Sequence, residues 1–207
     1  MTNQRLGLHR LIFLLAAVVM ASACLSQPHP VKNVYGLMAA SAETEVVKRP
    51  ENRRTLLVGT VTAAAGFDNR ALVYRVGEDR FETDFYNEFL APPARLLADQ
   101  TAQYLDDRSR RVRVVKTPGL VIAHYGLETY LECLYGDFTV EPPVAVLGIR
   151  FAVNDLRGSQ ARILMDETYR QTVPLTAKGP DALVAAMNEG LNLILADLNR
   201  DLEKNIR

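Results

Sequence analysis

Tryptophan is absent from the 207 residues, and cysteine occurs only twice. Two cysteines exclude a disulfide-dense scaffold and a cysteine-rich zinc module. Histidine is almost as scarce, at three, and only His29 and His124 lie beyond residue 23. A serine or cysteine hydrolase needs a base beside its nucleophile. His124 offers no such constellation and reads as the cap of a strand end. No G-x-S-x-G, phosphate-binding glycine loop or H-E-x-x-H is present, which excludes an ATPase and leaves no catalytic residue, metal site or cofactor to expect. A surplus of one charge is missing too: 24 basic residues face 24 acidic ones, which argues against a nucleic-acid binder. The acid pairs Asp106-Asp107 and Asp166-Glu167 have no supporting motif and read as solvated.

What the sequence does contain begins at its N-terminus. Met1 to Arg10 carries Arg5 and Arg10 and no acid, and Leu11 to Ala21 is an uninterrupted apolar run. Ala21-Ser22-Ala23 then leads into Cys24. A basic stretch, an apolar stretch and small residues in that order make a secretory signal. Eleven residues at ~1.5 Å each cover about half of a bilayer's ~30 Å hydrocarbon core, so a spanning helix is the weaker reading. No later run is long enough to span, and the remainder reads as soluble. The position of Cys24 resembles the lipobox of bacterial lipoproteins, in which the cysteine is acylated, although Ala21 stands where a large aliphatic residue is usual. The same three residues form an A-x-A site, whose cleavage after Ala23 would release a soluble periplasmic binding protein. Both routes stay open at this level. In enteric-type bacteria, Asp after the acylated cysteine resembles an inner-membrane retention signal; Leu25 is compatible with the outer membrane.

Removal of residues 1–23 takes two arginines and no acid, leaving 22 basic residues against 24 acidic. Residues 24–33 hold Pro28 and Pro30 and read as a short tether, which at full extension spans at most ~35 Å. Residues 34–207 read as one domain, and a hydrophobic content of 48% is enough for a core. Val34 to Met38 reads as a short strand and Thr55 to Thr62 as a longer one. Ala71–Val76 and Arg80–Tyr86 flank a turn and read as a hairpin. Phe81, Thr83 and Phe85 share a face of its second arm. Pro92-Pro93 opens a helix to about Asp107. Arg111 to Lys116 returns to strand. Leu127–Thr139, Val144–Asn154 and Ala161–Val173 are three long β segments with short connections, which favours an antiparallel meander. Cys133 falls at the spacing of Leu127 and Leu131 and reads as a small buried hydrophobe. From Pro180 onward, Leu183, Val184, Met187, Leu191, Ile194, Leu195, Leu198 and Leu202 recur at steps of three and four, making an amphipathic helix that packs on a sheet. The expected class is α+β: a mixed, largely antiparallel sheet packed by a central helix and a long C-terminal one.

Three blocks in this order carry a family resemblance. They are Tyr35-Gly36-Leu37, then Phe67-Asp68-Asn69-Arg70-Ala71-Leu72-Val73-Tyr74-Arg75, then Tyr86 to Leu97 with its double proline. Behind a lipobox-like cysteine, they resemble the ABC-type transport auxiliary lipoproteins, which include the PqiC-like intermembrane transport lipoproteins. Phe89 stands where that family often has tryptophan. The resemblance implies a non-catalytic, periplasm-facing lipoprotein in the cell envelope, held at the outer membrane through acylated Cys24. Its implied partners are an MCE-domain protein and the permease and ATPase of an ABC-type system that moves lipid or hydrophobic solute between the membranes. A homo-oligomer is compatible with it. The residues themselves suggest where docking could occur. Tyr86 and Phe89 are expected to pin the strand-to-helix corner, where aromatic side chains can anchor an interface. The basic run Arg108, Arg110, Arg111, Arg113 reads as a solvated face, with Arg111 and Arg113 as docking candidates for acidic partners or lipid headgroups.

Overall fold

The computed structural model describes residues 31–40, 50–116 and 121–206. The leader, Cys24, Leu25 and His29 lie outside the described residues. The elements run β1 (Asn33–Tyr35), β2 (Arg54–Ala63), β3 (Ala71–Arg75), β4 (Phe81–Phe89), α1 (Pro93–Arg108), β5 (Val112–Val115), β6 (Tyr125–Asp137), β7 (Val144–Asp155), β8 (Arg162–Pro174) and α2 (Pro180–Asn205). This is an α+β fold. All eight strands join one mixed sheet.

The sheet is organised around β6. Along one side it pairs β7 antiparallel for its full length, and β7 pairs β8 in the same sense. This is the meander that the short connections predict. The other side of β6 is shared by two parallel neighbours: β2 takes Tyr125 to Leu131, and β3 takes Gly136 and Asp137. Beyond β2 lies β5, also parallel, and beyond β3 lie β4, antiparallel, and then β1, parallel. The parallel joins arise because α1 and the surrounding loops carry the chain back before the next strand begins, as parallel pairing requires.

Alternation on β7 shows which face is buried. Ala145, Leu147, Ile149, Phe151 and Val153 are each at most 1% exposed. α2 packs on β7 and β8 and α1 on β2 and β5, and the two helices touch each other. The apolar stripe of α2, from Leu183 to Leu202, is buried in the same core as Leu97 and Leu105 of α1. At about 25 cal/mol per Å² of apolar surface, this shared burial is the main stabilising term. Both helices open with proline in the first turn, where its missing N–H costs nothing. Gly179 precedes α2 with φ of 136°, a conformation that side chains disfavour.

Three local expectations need correction. β1 ends at Tyr35, not Met38. Past it the amides of Met38 and Ala40 donate to the side-chain oxygens of Asn188 and Asn192 on α2, at 2.9 and 2.5 Å, and Ala39 donates to Gln100 of α1 at 2.8 Å. Cys133 does not share the core face of Leu127 and Leu131. A register shift between Leu131 and Cys133 reverses the alternation, so Leu134 is buried and Cys133 is half-buried opposite Gly148. The third concerns Tyr86 and is set out with the site. His124 does cap a strand end. Its Nδ1 accepts the Thr55 amide at 3.1 Å, while its own amide donates to the Thr55 carbonyl at 2.9 Å.

Candidate functional site

The most distinctive local geometry lies on β4. Ala71 of β3 pairs with Glu88, but Val73 pairs with Thr83. One residue of β3 therefore faces four of β4, and residues 84–87 bulge out of the ladder. A bulge detaches backbone N–H groups that need another acceptor. Asp84 supplies it. Its Oδ1 accepts the amides of Tyr86 and Asn87 at 2.8 and 3.0 Å. Its Oδ2 accepts the Tyr74 hydroxyl at 2.7 Å and the Asn87 side-chain amide at 2.8 Å. Burial would push the Asp84 carboxyl up, but these four donors outweigh it and hold the group below the ordinary carboxylate value. Tyr74 moves the opposite way, upward, through burial and through donation to the carboxylate.

The bulge decides where the aromatic residues go. Phe85 is 63% exposed and Tyr86 53%, and their rings meet edge to face at 5.2 Å between centroids. Lys32, just before β1, places its Nζ 5.2 Å from the centroid of the Phe85 ring. The same Nζ donates to Glu88 at 3.2 Å, and Arg70 holds the other Glu88 oxygen at 2.8 Å. The result is a projecting aromatic pair with a cation beside it, set on a carboxylate-stitched base.

Phe89 and Tyr86 therefore separate. Phe89 is 2% exposed and belongs to the core, where it pins the corner as expected. Its carbonyl accepts from Arg70 Nε at 2.8 Å. Tyr86 pins nothing; it points outward because the Asp84 bulge carries it off the sheet. Phe85 is its better-exposed neighbour, and sequence spacing alone does not mark it as a site residue. The regular spacing of Phe81, Thr83 and Phe85 suggests one uninterrupted strand. The signal against that is Asp84 with Asn87 three residues on, a pattern suited to capping its own backbone.

The basic run is divided among structural duties. Arg108 lies over the Tyr104 ring, 4.2 Å from its centroid, and donates to the Ala40 carbonyl at 3.0 Å. Arg111 Nε sits 3.7 Å from Glu203 of α2. That carboxylate also accepts the Ser109 hydroxyl at 2.8 Å and the amides of Arg110 and Arg111 at 2.7 and 3.2 Å. Arg53, Arg54, Arg110 and Arg111 line a shallow basin with Glu203. Arg113 is exposed on β5, facing away from buried Val112 as the alternation predicts. Cys24 lies outside the described residues. Among those residues, no group of His, Cys, Asp or Glu is arranged to hold a metal ion, and no helix is long and apolar enough to cross a membrane.

The model of a protein family described as the ABC-type transport auxiliary lipoprotein component matches residues 35–199. No curated protein matches the chain. Among solved structures, a protein from Xanthomonas campestris has a TM-score of 0.69 at 16% identity, with 84% of this chain and 96% of that one covered. An uncharacterized protein has a TM-score of 0.68 at 15% identity, with 83% and 99% covered. A hypothetical protein from Chlamydia trachomatis has a TM-score of 0.56 at 10% identity, with 74% and 97% covered. At these identities the structures speak for the fold alone.

Proposed function

The chain belongs to the ABC-type transport auxiliary lipoprotein family, and from that we propose that it is a non-catalytic adaptor of an MCE-containing system moving lipid or hydrophobic solute between inner and outer membrane. It is held to the envelope through acylated Cys24, faces the periplasm and sits at the outer membrane. The carrying observation is the family match over residues 35–199, which takes in every element from Tyr35 to the last turns of α2. The three sequence blocks that bear the resemblance meet in space. Tyr35 of β1, Tyr74 of the β3 block and Asn87 of the β4 block form one hydrogen-bonded group around Asp84, and Arg70 of the β3 block bonds the neighbouring Glu88 of the β4 block. In this reading they are the construction of one corner.

ATP hydrolysis and passage through the membrane belong to partner subunits. The expected partners are an MCE-domain protein and the permease and ATPase, with self-assembly compatible. Arg113, exposed on β5 and without an ion pair among the described residues, is the basic side chain offered to an acidic partner surface. The test is purification of the full chain from detergent-extracted membranes, with mass analysis of its mature N-terminus. Recovery of an MCE-domain protein, with diacylglycerol on Cys24, supports the reading. A mature chain beginning at an unmodified Cys24 would replace it with the soluble binding protein released after Ala23. Recovery of unrelated envelope machinery alone would remove the transport role.

A further inference from the structure

We propose that Phe85 and Tyr86, with Lys32 beside them, seat the domain on the phospholipid bilayer that anchors it: both rings enter the bilayer interface, and Lys32 meets lipid phosphate. The inference rests on the acylation of Cys24 proposed above.

Three observations select the bilayer as occupant. The first is the way the pair is displayed. Two consecutive aromatic side chains, 63% and 53% exposed, stand on a bulge fixed by four hydrogen bonds to Asp84. Val34, 50% exposed, lies next to them on edge strand β1, paired in register with Glu88. Solvent-facing aromatic rings on a rigid support are pre-organised for an apolar environment, since little conformational freedom remains to be lost on docking.

The second is position along the chain. Lys32, whose ammonium sits over the Phe85 ring, is eight residues from Cys24. Eight residues reach at most ~28 Å when fully extended. With Cys24 acylated, Lys32 stays within ~28 Å of the anchored cysteine, so the projecting pair keeps a high effective concentration at the headgroups. A contact too weak to hold a free protein becomes effective there, because the anchor makes it intramolecular.

The third is composition. Phenylalanine is apolar throughout, tyrosine has an apolar body with a polar tip, and lysine carries a flexible cation. Aromatic and lysine side chains of this kind collect at the membrane interface. Glu88 does not oppose the arrangement, because Arg70 holds it at 2.8 Å when Lys32 turns outward.

The absence of tryptophan supplies the test. Phe85→Trp creates a single emitter at a position where size is unconstrained. The acylated mature chain is reconstituted in phosphatidylethanolamine–phosphatidylglycerol vesicles with brominated acyl chains. The expected result is blue-shifted emission and roughly twofold quenching by the brominated lipid, as for a ring at interfacial depth. Tyr130→Trp, 40% exposed on β6, is the control and stays unquenched. If the chain floats with the vesicles but the Phe85→Trp emission stays solvent-like, the seating is wrong and the anchor stands. If the acylated chain fails to float, the anchor reading falls and takes the seating with it. A blue shift that needs an added membrane-protein extract and is insensitive to bromine assigns the pair to a protein pocket and overturns the proposal.

Discussion

Asp84 is the residue on which the geometry of β4 turns, and its removal is the sharpest test of that geometry. Asp84→Ala deletes the acceptor for two backbone amides, the Tyr74 hydroxyl and the Asn87 side-chain amide. A hydrogen bond to a charged group contributes about 1.5–3 kcal/mol, and a buried donor left without a partner costs about 1–3 kcal/mol. The four bonds share one carboxylate and do not add. Water can reach the amide of exposed Tyr86, whereas the Tyr74 hydroxyl and the Asn87 side chain are partly buried. The expected loss is therefore about 2–3 kcal/mol, set mainly by those two donors. For a domain of this size that lowers Tm by about 4–12 °C. Asp84→Asn keeps one acceptor oxygen and turns the other into a donor facing Asn87, so it should lose about half as much.

The pH dependence gives a second, independent reading. The folded Asp84 carboxyl lies below its ordinary value. Its contribution is fully present above the unfolded value of about 3.9 and disappears as pH falls through the lower folded value. Urea unfolding of parent and Asp84→Ala chains should thus show a gap at pH 7 that narrows in acid, because only the parent loses a charge there. A gap under 1 kcal/mol at neutral pH, or one that widens in acid, would refute the assignment of Asp84 as the organiser of the bulge.

Other perturbations address other joints. Glu203→Ala should cost about 1.5–3 kcal/mol and speed hydrogen exchange at Arg110 and Arg111, whereas Glu203→Gln, which keeps an acceptor oxygen, should cost under about 1 kcal/mol. Equal effects would show that the carboxylate does not hold this loop. Gly190→Val should destabilise by about 3 kcal/mol in urea unfolding, since even a Cβ there would come within 2.8 Å of Leu147 Cδ1 in the α2–β7 contact; a neutral result would mean that α2 sits farther from the sheet. Burial pushes the Cys133 thiol up, with Arg170 opposing, so it stays protonated near neutrality and iodoacetamide should label it far more slowly in the native chain than in urea. Equal labelling rates, read at the peptide containing Cys133, would contradict that burial.

The fold was largely legible because its strongest elements carry their own periodicity. The α2 stripe and the alternating β7 residues differ in period, 3.6 against 2, and each opens at a proline. Pairing was less legible. Short connections correctly indicate the β6–β7–β8 meander, but nothing local to β2 or β3 says that both run parallel along one side of β6. That arrangement depends on where α1 returns the chain. The two misread faces share a cause. Period-2 reasoning assumes an uninterrupted ladder, and a one-residue slip moves every later side chain to the opposite face. The slip at Leu131/Cys133 turned Cys133 away from the core, and the bulge at Asp84 turned Tyr86 away from the corner.

The allocation of polar groups in the molecule bears on what it can do. Groups that would first attract a catalytic reading are already committed to backbone or structural partners. His124 accepts an amide at the head of β2, Asp84 stitches a bulge, and Arg53 donates to the Val112 carbonyl at 2.9 Å. Asp137 holds Arg75 at 3.1 Å and caps Thr139. A catalytic carboxylate must leave a lone pair for substrate, whereas Asp84 and Asp137 spend theirs on internal bonds. The side chains left facing outward at the β1–β4 corner are instead aromatic: Phe85 and Tyr86, beside a cation. Rigid polar stitching beneath an apolar display is the division of labour of a part that docks, since the stitching fixes position and the rings supply the contact. Loss of Asp84 should therefore weaken membrane seating as well as stability, and Phe85→Ser should weaken seating while leaving Tm nearly unchanged. If both variants reduced Tm equally, the rings would have to be part of the fold.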